Sequence, residues 1–409
     1  MEKMEIKLMH DSIGIDEKEA ILNCLNSGEY TQGKIVEDFE KRFAEWNGSK
    51  YAIMVNSGSS ANLLMMCLAK KKFGLDDGDE ILVPSVTWPT TIYPVIQNNL
   101  NPVFCDIDES FNMSLDSIKK MTSVKTKGIF LVHLLGQPAN IQEILDFAKE
   151  RDLFVIEDCC ESMGARFNNI KVGNFGKMGS FSFYFGHHMT TIEGGMIVTD
   201  DEESYDLLKS MRSHGWVRNS KREGLYENYL DKKYLFDIQG YNLRSTNINA
   251  AIGLVQLNKL DDFIKKRLEN HIYFLDQIKK LGLGFQKVNL SETSSFCFAI
   301  LFNNQFQRDY ILKNLERSKK VETRKIVAGN LLNQPVFKKM SFRKDSASNS
   351  EKLDKLGIYI PNNQFIDQTK IDYMLESIKE LISESNYFMN LSYQNLGEGK
   401  DIMPKQVIN

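Results

Sequence analysis

Short apolar runs alternate through the first half of this chain with stretches whose apolar side chains recur every three or four positions. Tyr51–Val55 and residues 81–83, 103–105, 129–133 and 154–156 are runs of the first kind and predict strands. Residues 59–71 and Ile141–Glu150 are of the second kind and predict helices, the latter capped by Asn140 with Glu143 completing a capping box. Such alternation predicts an α/β protein whose mostly parallel sheet is covered on both faces. In that architecture ligands bind outside the carboxyl ends of the strands.

The pattern changes further on. Residues 180–185 predict another strand, entering a turn that closes at Gly194-Gly195. A long amphipathic helix follows, with Ile264, Leu268, Ile272, Leu275 and Ile278 on one stripe. The boundary between a large domain (31–270) and a smaller α+β domain (271–390) is expected near its middle. The second domain carries β-like runs at 296–302 and 357–360 and a helix with Ile371, Leu375, Ile378 and Ile382 on one face. Residues 1–30 read as an N-terminal segment with a substrate loop, and 391–409 as an aperiodic tail.

Composition narrows the function. The 409 residues are 42% hydrophobic and 26% charged, as in a soluble globular protein. A net charge of −3 leaves no basic footprint for nucleic acid or an anionic membrane. Without an apolar span or an N-terminal h-region, the expected location is the cytoplasm. Cysteines 24, 67, 105, 159, 160 and 297 form no CxxC pair, so free thiols and no metal site are expected.

Four places carry candidate chemistry. In Asn56-Ser-Gly-Ser-Ser60, Gly58 permits an unusual turn and sets the amides of Ser59 and Ser60 at a helix N-terminus, where an anion is favoured. Asp158 ends a strand at the binding edge. Trp88 also follows a strand and serves either as core or as a stacking surface. His187 and His188 lie on the turn after residue 185. Imidazole suits proton transfer near neutrality, and adjacent residues on an extended turn point to different sides, so one of the two should face the site.

The segment GSFSFYFGHHMTTIEGG (179–195) is similar to the cofactor-lysine segment of the DegT/StrS-type sugar aminotransferases. GYNLRSTNINAAIGLVQL (240–257) resembles a second signature of that family, and the likeness spans about residues 10 to 385. It implies the fold type I of enzymes that use pyridoxal 5′-phosphate (PLP). Gly58, Ser59, Ser60 and Ser182 would then hold the cofactor phosphate, and Asp158 the protonated pyridine nitrogen. Trp88 would stack on the ring and Glu161 would lie near its hydroxyl. Asn242 would reach the neighbour's cofactor, which implies a homodimer with shared active sites.

In that family a lysine six residues before the Glu of the closing Glu-Gly-Gly forms a Schiff base with PLP. Six residues before Glu193 stands His187. This exchange, with RSHGWVRN (212–219) and RKIVAGNL (324–331) followed by Gln334-Pro335, resembles the 3-dehydratase branch of the family. The branch implies PLP and its amine form PMP held without a covalent bond, with His187 as the proton-transfer residue. Thr31 in SGEYTQG, His188, His214, Arg218, Arg244, Gly329 and Asn330 would meet substrate. One branch member carries an iron–sulfur cluster on a CxC pair. This chain has Cys159-Cys160 and no cysteine between 161 and 296, which implies no cluster.

The reaction implied takes L-glutamate as amino donor and removes the C3 hydroxyl of a nucleotide-linked 4-keto-6-deoxyhexose, releasing ammonia. GDP is the preferred nucleotide, with 4-keto-6-deoxymannose as the sugar and a lipopolysaccharide O-antigen as the setting. Two alternatives stay open. One is a sugar aminotransferase using another group, although Lys177 falls before the strand. The other is a non-catalytic regulator on the same fold. His188 as base is a further possibility, disfavoured by register.

Overall fold

The computed structural model describes residues 4–397 except 219 and 230–233. Twelve strands run in chain order: β1 Tyr51–Val55, β2 Glu80–Pro84, β3 Asn101–Cys105, β4 Thr126–Val132, β5 Phe154–Asp158, β6 Arg166–Phe167, β7 Ile170–Lys171, β8 Gly179–Ser182, β9 Gly195–Thr199, β10 Gly284–Phe285, β11 Cys297–Leu301 and β12 Gly357–Pro361. Seven form one sheet in the order β1-β9-β8-β5-β4-β2-β3. β3, β2, β4, β5 and β8 pair in parallel, while β9 runs antiparallel to both β8 and β1. β2, β4 and β5 are buried almost throughout, as central parallel strands must be. β8 ends at Ser182 rather than near 185, because from Phe183 the chain leaves the ladder and enters the turn bearing His187.

Two helices not expected from the sequence, Ile15–Ser27 and Lys34–Asn47, precede β1. The second buries Val36, Phe39 and Phe43 against Phe181 and Phe183 of the β8 segment, with Phe43 centred 5.2 Å and 5.4 Å from those two rings. Each such phenylalanine contributes roughly 1.5–3 kcal/mol by leaving water. The long helix Asn247–Lys280 packs on the same cluster. A Cβ at Gly253 would come within 2.6 Å of the Phe39 ring, so the small residues of Ala-Ala-Ile-Gly are what admit it.

Of the expected stripe on that helix, Leu275 and Ile278 are buried and Ile264 and Leu268 half-buried, but Ile272 is exposed; Arg267, Asn270, His271 and Phe274 share the buried face. Each of the three polar residues bonds backbone or a side chain of the small-domain segments, although Arg267 Nε and His271 Nε2 find no partner among the described residues. That domain is the β10-β11-β12 sheet with the helices Gln305–Lys319 and Gln368–Gly397, closed around Phe298, Ile300, Ile358 and Ile378. Ile6 of the N-terminal segment joins this core through a bridge to Val321. The last helix continues past 391, where a tail was expected, and 398–409 lie outside the described residues. Asn140 does precede Ile141–Glu150, but its side chain bonds the Glu143 carboxylate at 2.6 Å and caps no backbone amide.

Candidate active site

A cavity of about 420 Å³ opens at the carboxyl ends of β1, β2, β5 and β8, under the small domain. Larger clefts exist. One of about 1130 Å³ lies at the opposite strand ends, beside Phe154 and Lys177, and gathers none of the candidate groups.

Its floor is the loop after β1. Ser57 caps the helix Gly58–Lys72, its Oγ accepting the Ser60 amide at 3.1 Å and donating to the Ser60 hydroxyl at 3.0 Å. Ser60 is thereby occupied, and it is Ser57, Gly58 and Ser59 that line the cavity. Gly58 is needed for space rather than for an unusual φ. A Cβ there would lie 2.7 Å from Ser182 Cβ and 3.0 Å from Cys160 Sγ. A Cβ at Gly195 would run into the Ser57 carbonyl, which explains the second glycine of the Gly194-Gly195 pair. The result is a helix N-terminus faced by the Ser182 hydroxyl, the donor set of an anion cradle.

Asp158 ends β5, is 5% exposed, and is held from three sides. Its Oδ2 accepts from Asn62 Nδ2 at 2.7 Å and Thr91 Oγ1 at 2.8 Å, and its Oδ1 accepts the Cys160 amide at 3.1 Å. Asn62 is itself fixed by Ser180 Oγ at 2.6 Å. Asn62 and Thr91 were not legible as site residues, since a helical Asn and Thr usually face water. Trp88 stands at the cavity mouth, 58% exposed, just before the helix that Pro89 begins. Glu161 receives the Leu135 amide at 3.0 Å; burial, reinforced by Asp158, pushes its carboxyl up to about 7.

His187 lines the cavity between Tyr184 and Phe296, whose ring centre lies 5.3 Å away. Its Nδ1 is 2.6 Å from the Cys160 carbonyl. A carbonyl can only accept, so Nδ1 carries the proton and Nε2 keeps the lone pair in the neutral ring. Burial pushes the ring down to about 4; the Arg267 charge acts in the same direction, the Cys160 bond and Asp158 against it. The turn is tied to the long helix at three points. Asn249 Nδ2 donates to the Thr191 carbonyl, Gln256 Oε1 accepts the Thr190 amide, and Arg267 Nη2 donates to the His187 carbonyl.

His188 does not meet the cavity. It is fully buried, its Nε2 lies 3.0 Å from the Ser294 carbonyl, and burial holds it well below the ordinary histidine range. The expected substrate contact is therefore corrected to a core position. Gly329 and Asn330 are corrected likewise. Gly329 adopts φ +67°, and a Cβ there would meet the Asp354 carboxylate. Asn330 is 1% exposed and spends its amide on Glu351 and the Leu332 N–H. From the small domain, Arg324, Tyr359 and Asn362 do reach the cavity. Arg324 lies in the 324–331 segment noted in the sequence but was not assigned to the site, and Tyr359 and Asn362 were not singled out.

Thr31, His214, Arg218, Asn242 and Arg244 lie elsewhere in the same subunit. Thr31 pairs with Thr246 and Ser213 with Asn242. Arg244 Nε donates to Asn242 Oδ1 at 3.1 Å, and Arg218 and Arg244 line a cleft of about 880 Å³ with Gln32 and Gly33. A buried trio of metal-ligand type, His133, Glu157 and Cys159, is self-satisfied. His133 Nδ1 accepts the Ala139 amide, which leaves Nε2–H to bond Glu157 at 3.0 Å. Glu157 takes three further amides.

A parallel sheet with an anion cradle, a braced acid and a base at its carboxyl edge is the layout of a fold type I PLP enzyme. The sequence agrees: residues 11–379 match the DegT/DnrJ/EryC1/StrS aminotransferase family, and the chain belongs to it. It is 41% identical over 375 residues to the GDP-4-keto-6-deoxy-D-mannose 3-dehydratase of Escherichia coli O55:H7, covering 89% of this chain and 96% of that one. The enzyme of the same name from Yersinia pseudotuberculosis is 37% identical over 394 residues, with 93% and 100% covered. A structure of GDP-4-keto-6-deoxymannose-3-dehydratase with a trapped PLP-glutamate geminal diamine superposes with TM-score 0.85 at 40% identity, covering 91% of this chain and all of that one. A mutant of that enzyme with bound GDP-perosamine superposes equally well. Among the described residues no helix is long and apolar enough to cross a membrane.

Proposed function

We propose that this protein is a PLP/PMP-dependent nucleotide-sugar 3-dehydratase acting on GDP-4-keto-6-deoxymannose, with L-glutamate as amino donor. The observation that carries this reading is His187. It occupies the family's lysine position, cannot hold the cofactor covalently, and offers an unprotonated Nε2 in the cavity that Asp158 and the Ser57–Ser59 loop share.

The residues present fit the cofactor. The Ser57–Ser59 amides and the Ser182 hydroxyl suit its phosphate, and the crowding that excludes a Cβ at Gly58 is what a close phosphate cradle requires. Asp158, held by Asn62 and Thr91, would pair with the pyridine nitrogen, with Trp88 over the ring and Glu161 near its hydroxyl. When bound, the cofactor supplies an amine that condenses with the C4 ketone and a ring that accepts charge. His187 Nε2 takes the C4′ proton and delivers it to the departing C3 hydroxyl. Such acid–base help is worth about 10²–10⁴ in rate. The balance is keto-sugar plus glutamate giving 3-deoxy keto-sugar, 2-oxoglutarate and ammonia. One water leaves with C3 oxygen and one is consumed in releasing the nitrogen.

A homodimer with shared sites completes the reading. Arg218 and Arg244 line a cleft apart from their own cavity, and Thr31, His214 and Asn242 also lie outside that cavity, as residues offered to a second copy would. Arg218 and Arg244 have the charge for a nucleoside diphosphate. The absence of any CxC pair supports chemistry without an iron–sulfur cluster, and the free cysteines fit a reducing, cytoplasmic compartment. The test is stoichiometric. Purified protein with PLP, glutamate and the GDP keto-sugar should release ammonia and 2-oxoglutarate in equal amounts. Release of 2-oxoglutarate without ammonia would instead indicate an aminotransferase, and release of neither a non-catalytic protein.

A further inference from the structure

Arg267 lies behind the cavity wall and has no part in the chemistry described so far. It sits mid-way along the long helix, is 3% exposed, and makes no ion pair among the described residues. Burying an unpaired guanidinium is expensive, and a neutral side chain of similar size would stabilise the helix packing better. Its bonds all go to carbonyls. Nη1 donates to Phe296 O at 3.0 Å and to Asn362 O at 2.6 Å, and Nη2 donates to His187 O at 3.4 Å. Asn362 Nδ2 donates back to the Arg267 carbonyl at 3.0 Å.

These three carbonyls belong to separate parts of the cavity wall. His187 is on the turn after β8, Phe296 precedes β11 and packs at a tilt against the His187 ring, and Asn362 follows β12. We propose that Arg267 is a positioning residue for proton transfer, its guanidinium fork fastening the His187 backbone to the two small-domain segments that wall the same cavity. This rests on His187 being the base, as argued above. The fork spreads its donors over two nitrogens in one plane, whereas an ammonium has three N–H donors on a single atom and would have to reach all three carbonyls from one point.

The charge has a second consequence. The titratable groups around the imidazole are Asp158 at the end of β5, Cys160 and Glu161 just after it, Tyr184, His188 and Glu193 on its own turn, Arg267 on the long helix, and Arg324 and Tyr359 across the cavity from the small domain. Of the charged groups, Arg267 holds the ring neutral and Asp158 opposes it. A fixed positive charge here keeps Nε2 free of a proton as the cofactor's acidic carbon is presented to it.

The test uses cofactor-free protein with labelled histidine, the His187 resonance being assigned by its loss in His187→Asn. Arg267→Gln should raise the His187 titration midpoint by about one pH unit, a tenfold rise in the ratio of protonated to neutral ring at a given pH. Arg267→Lys keeps the charge, so the midpoint should stay, but dehydration should slow at least about tenfold at an unchanged pH optimum. An unmoved midpoint in the Gln variant, or full turnover in the Lys variant, overturns the proposal. Should Arg267→Gln fail to fold, the Lys variant decides. A wild-type protein that dehydrates no keto-sugar would sink the functional reading while leaving the midpoint shift to be seen.

Discussion

His187 Nδ1 donates to the Cys160 carbonyl at 2.6 Å, and this one bond decides which nitrogen of the ring can act as a base. Cys160 follows Asp158 by two residues, so the segment that carries this carboxylate also sets the tautomer of the histidine. His187→Asn should lower dehydration by about 10²–10⁴ while leaving PLP binding and the melting temperature nearly unchanged. Steady-state rates with an absorbance titration of PLP check this.

His188 predicts the opposite pattern. Its ring fills a fully buried site against the Ser294 carbonyl and Phe296. His188→Ala should cost about 2–4 kcal/mol of stability through the cavity and the orphaned carbonyl. Turnover per folded molecule should fall far less than in His187→Asn. Urea unfolding paired with active-site titration separates the two effects.

Asn62 braces Asp158, and removing it leaves that carboxylate with Thr91 and the Cys160 amide alone. Asn62→Ala should cost about 1–3 kcal/mol of stability and weaken PLP binding. Gly58→Ala should be more selective. Its methyl would press on Ser182 and Cys160, so PLP affinity should drop at least about tenfold, by roughly 1.4 kcal/mol, with a smaller change in melting temperature. Equilibrium dialysis of PLP against each variant gives the affinities, and urea unfolding gives the stabilities.

Acid should destabilise the cofactor-free protein earlier than its carboxylates alone require. Burial pushes His187 and His271 down to about 4, whereas an unfolded histidine titrates near 6.5. The unfolded chain therefore binds more protons between those values, and stability contributed by the neutral rings is lost as pH falls through about 6.5 to about 4. Denaturant midpoints should decline from pH 7 to pH 5, and His271→Phe should flatten that decline. An unchanged slope in the variant would remove His271 from the account.

Much of the fold was legible because apolar runs and periodic stretches between Tyr51 and Asp158 are locally consistent with the strands and helices they form. The antiparallel β9 was not, since strand–helix alternation gives no sign that a strand will turn back between β1 and β8. The helices Ile15–Ser27 and Lys34–Asn47 were passed over, although Val36, Phe39 and Phe43 carry a helical spacing. Within the site, the cradle, Asp158 and His187 were readable from motif and register. Asn62, Thr91 and Arg267 were not, because a polar residue on a helix is expected to face water and here faces buried partners. Gly329 and Asn330 show the converse. A Gly-Asn pair looks like a binding turn, yet the left-handed φ at Gly329 and the Asn330 cap account for both.

With a histidine at the family's lysine position, amine transfer should give way to deoxygenation. The decisive measurement is the mass spectrum of the sugar nucleotide formed from GDP-4-keto-6-deoxymannose, glutamate and PLP. The expected product has lost the C3 oxygen and retains the C4 ketone. A product that keeps the C3 hydroxyl and carries an amine at C4 would show that His187 leaves the reaction an amine transfer.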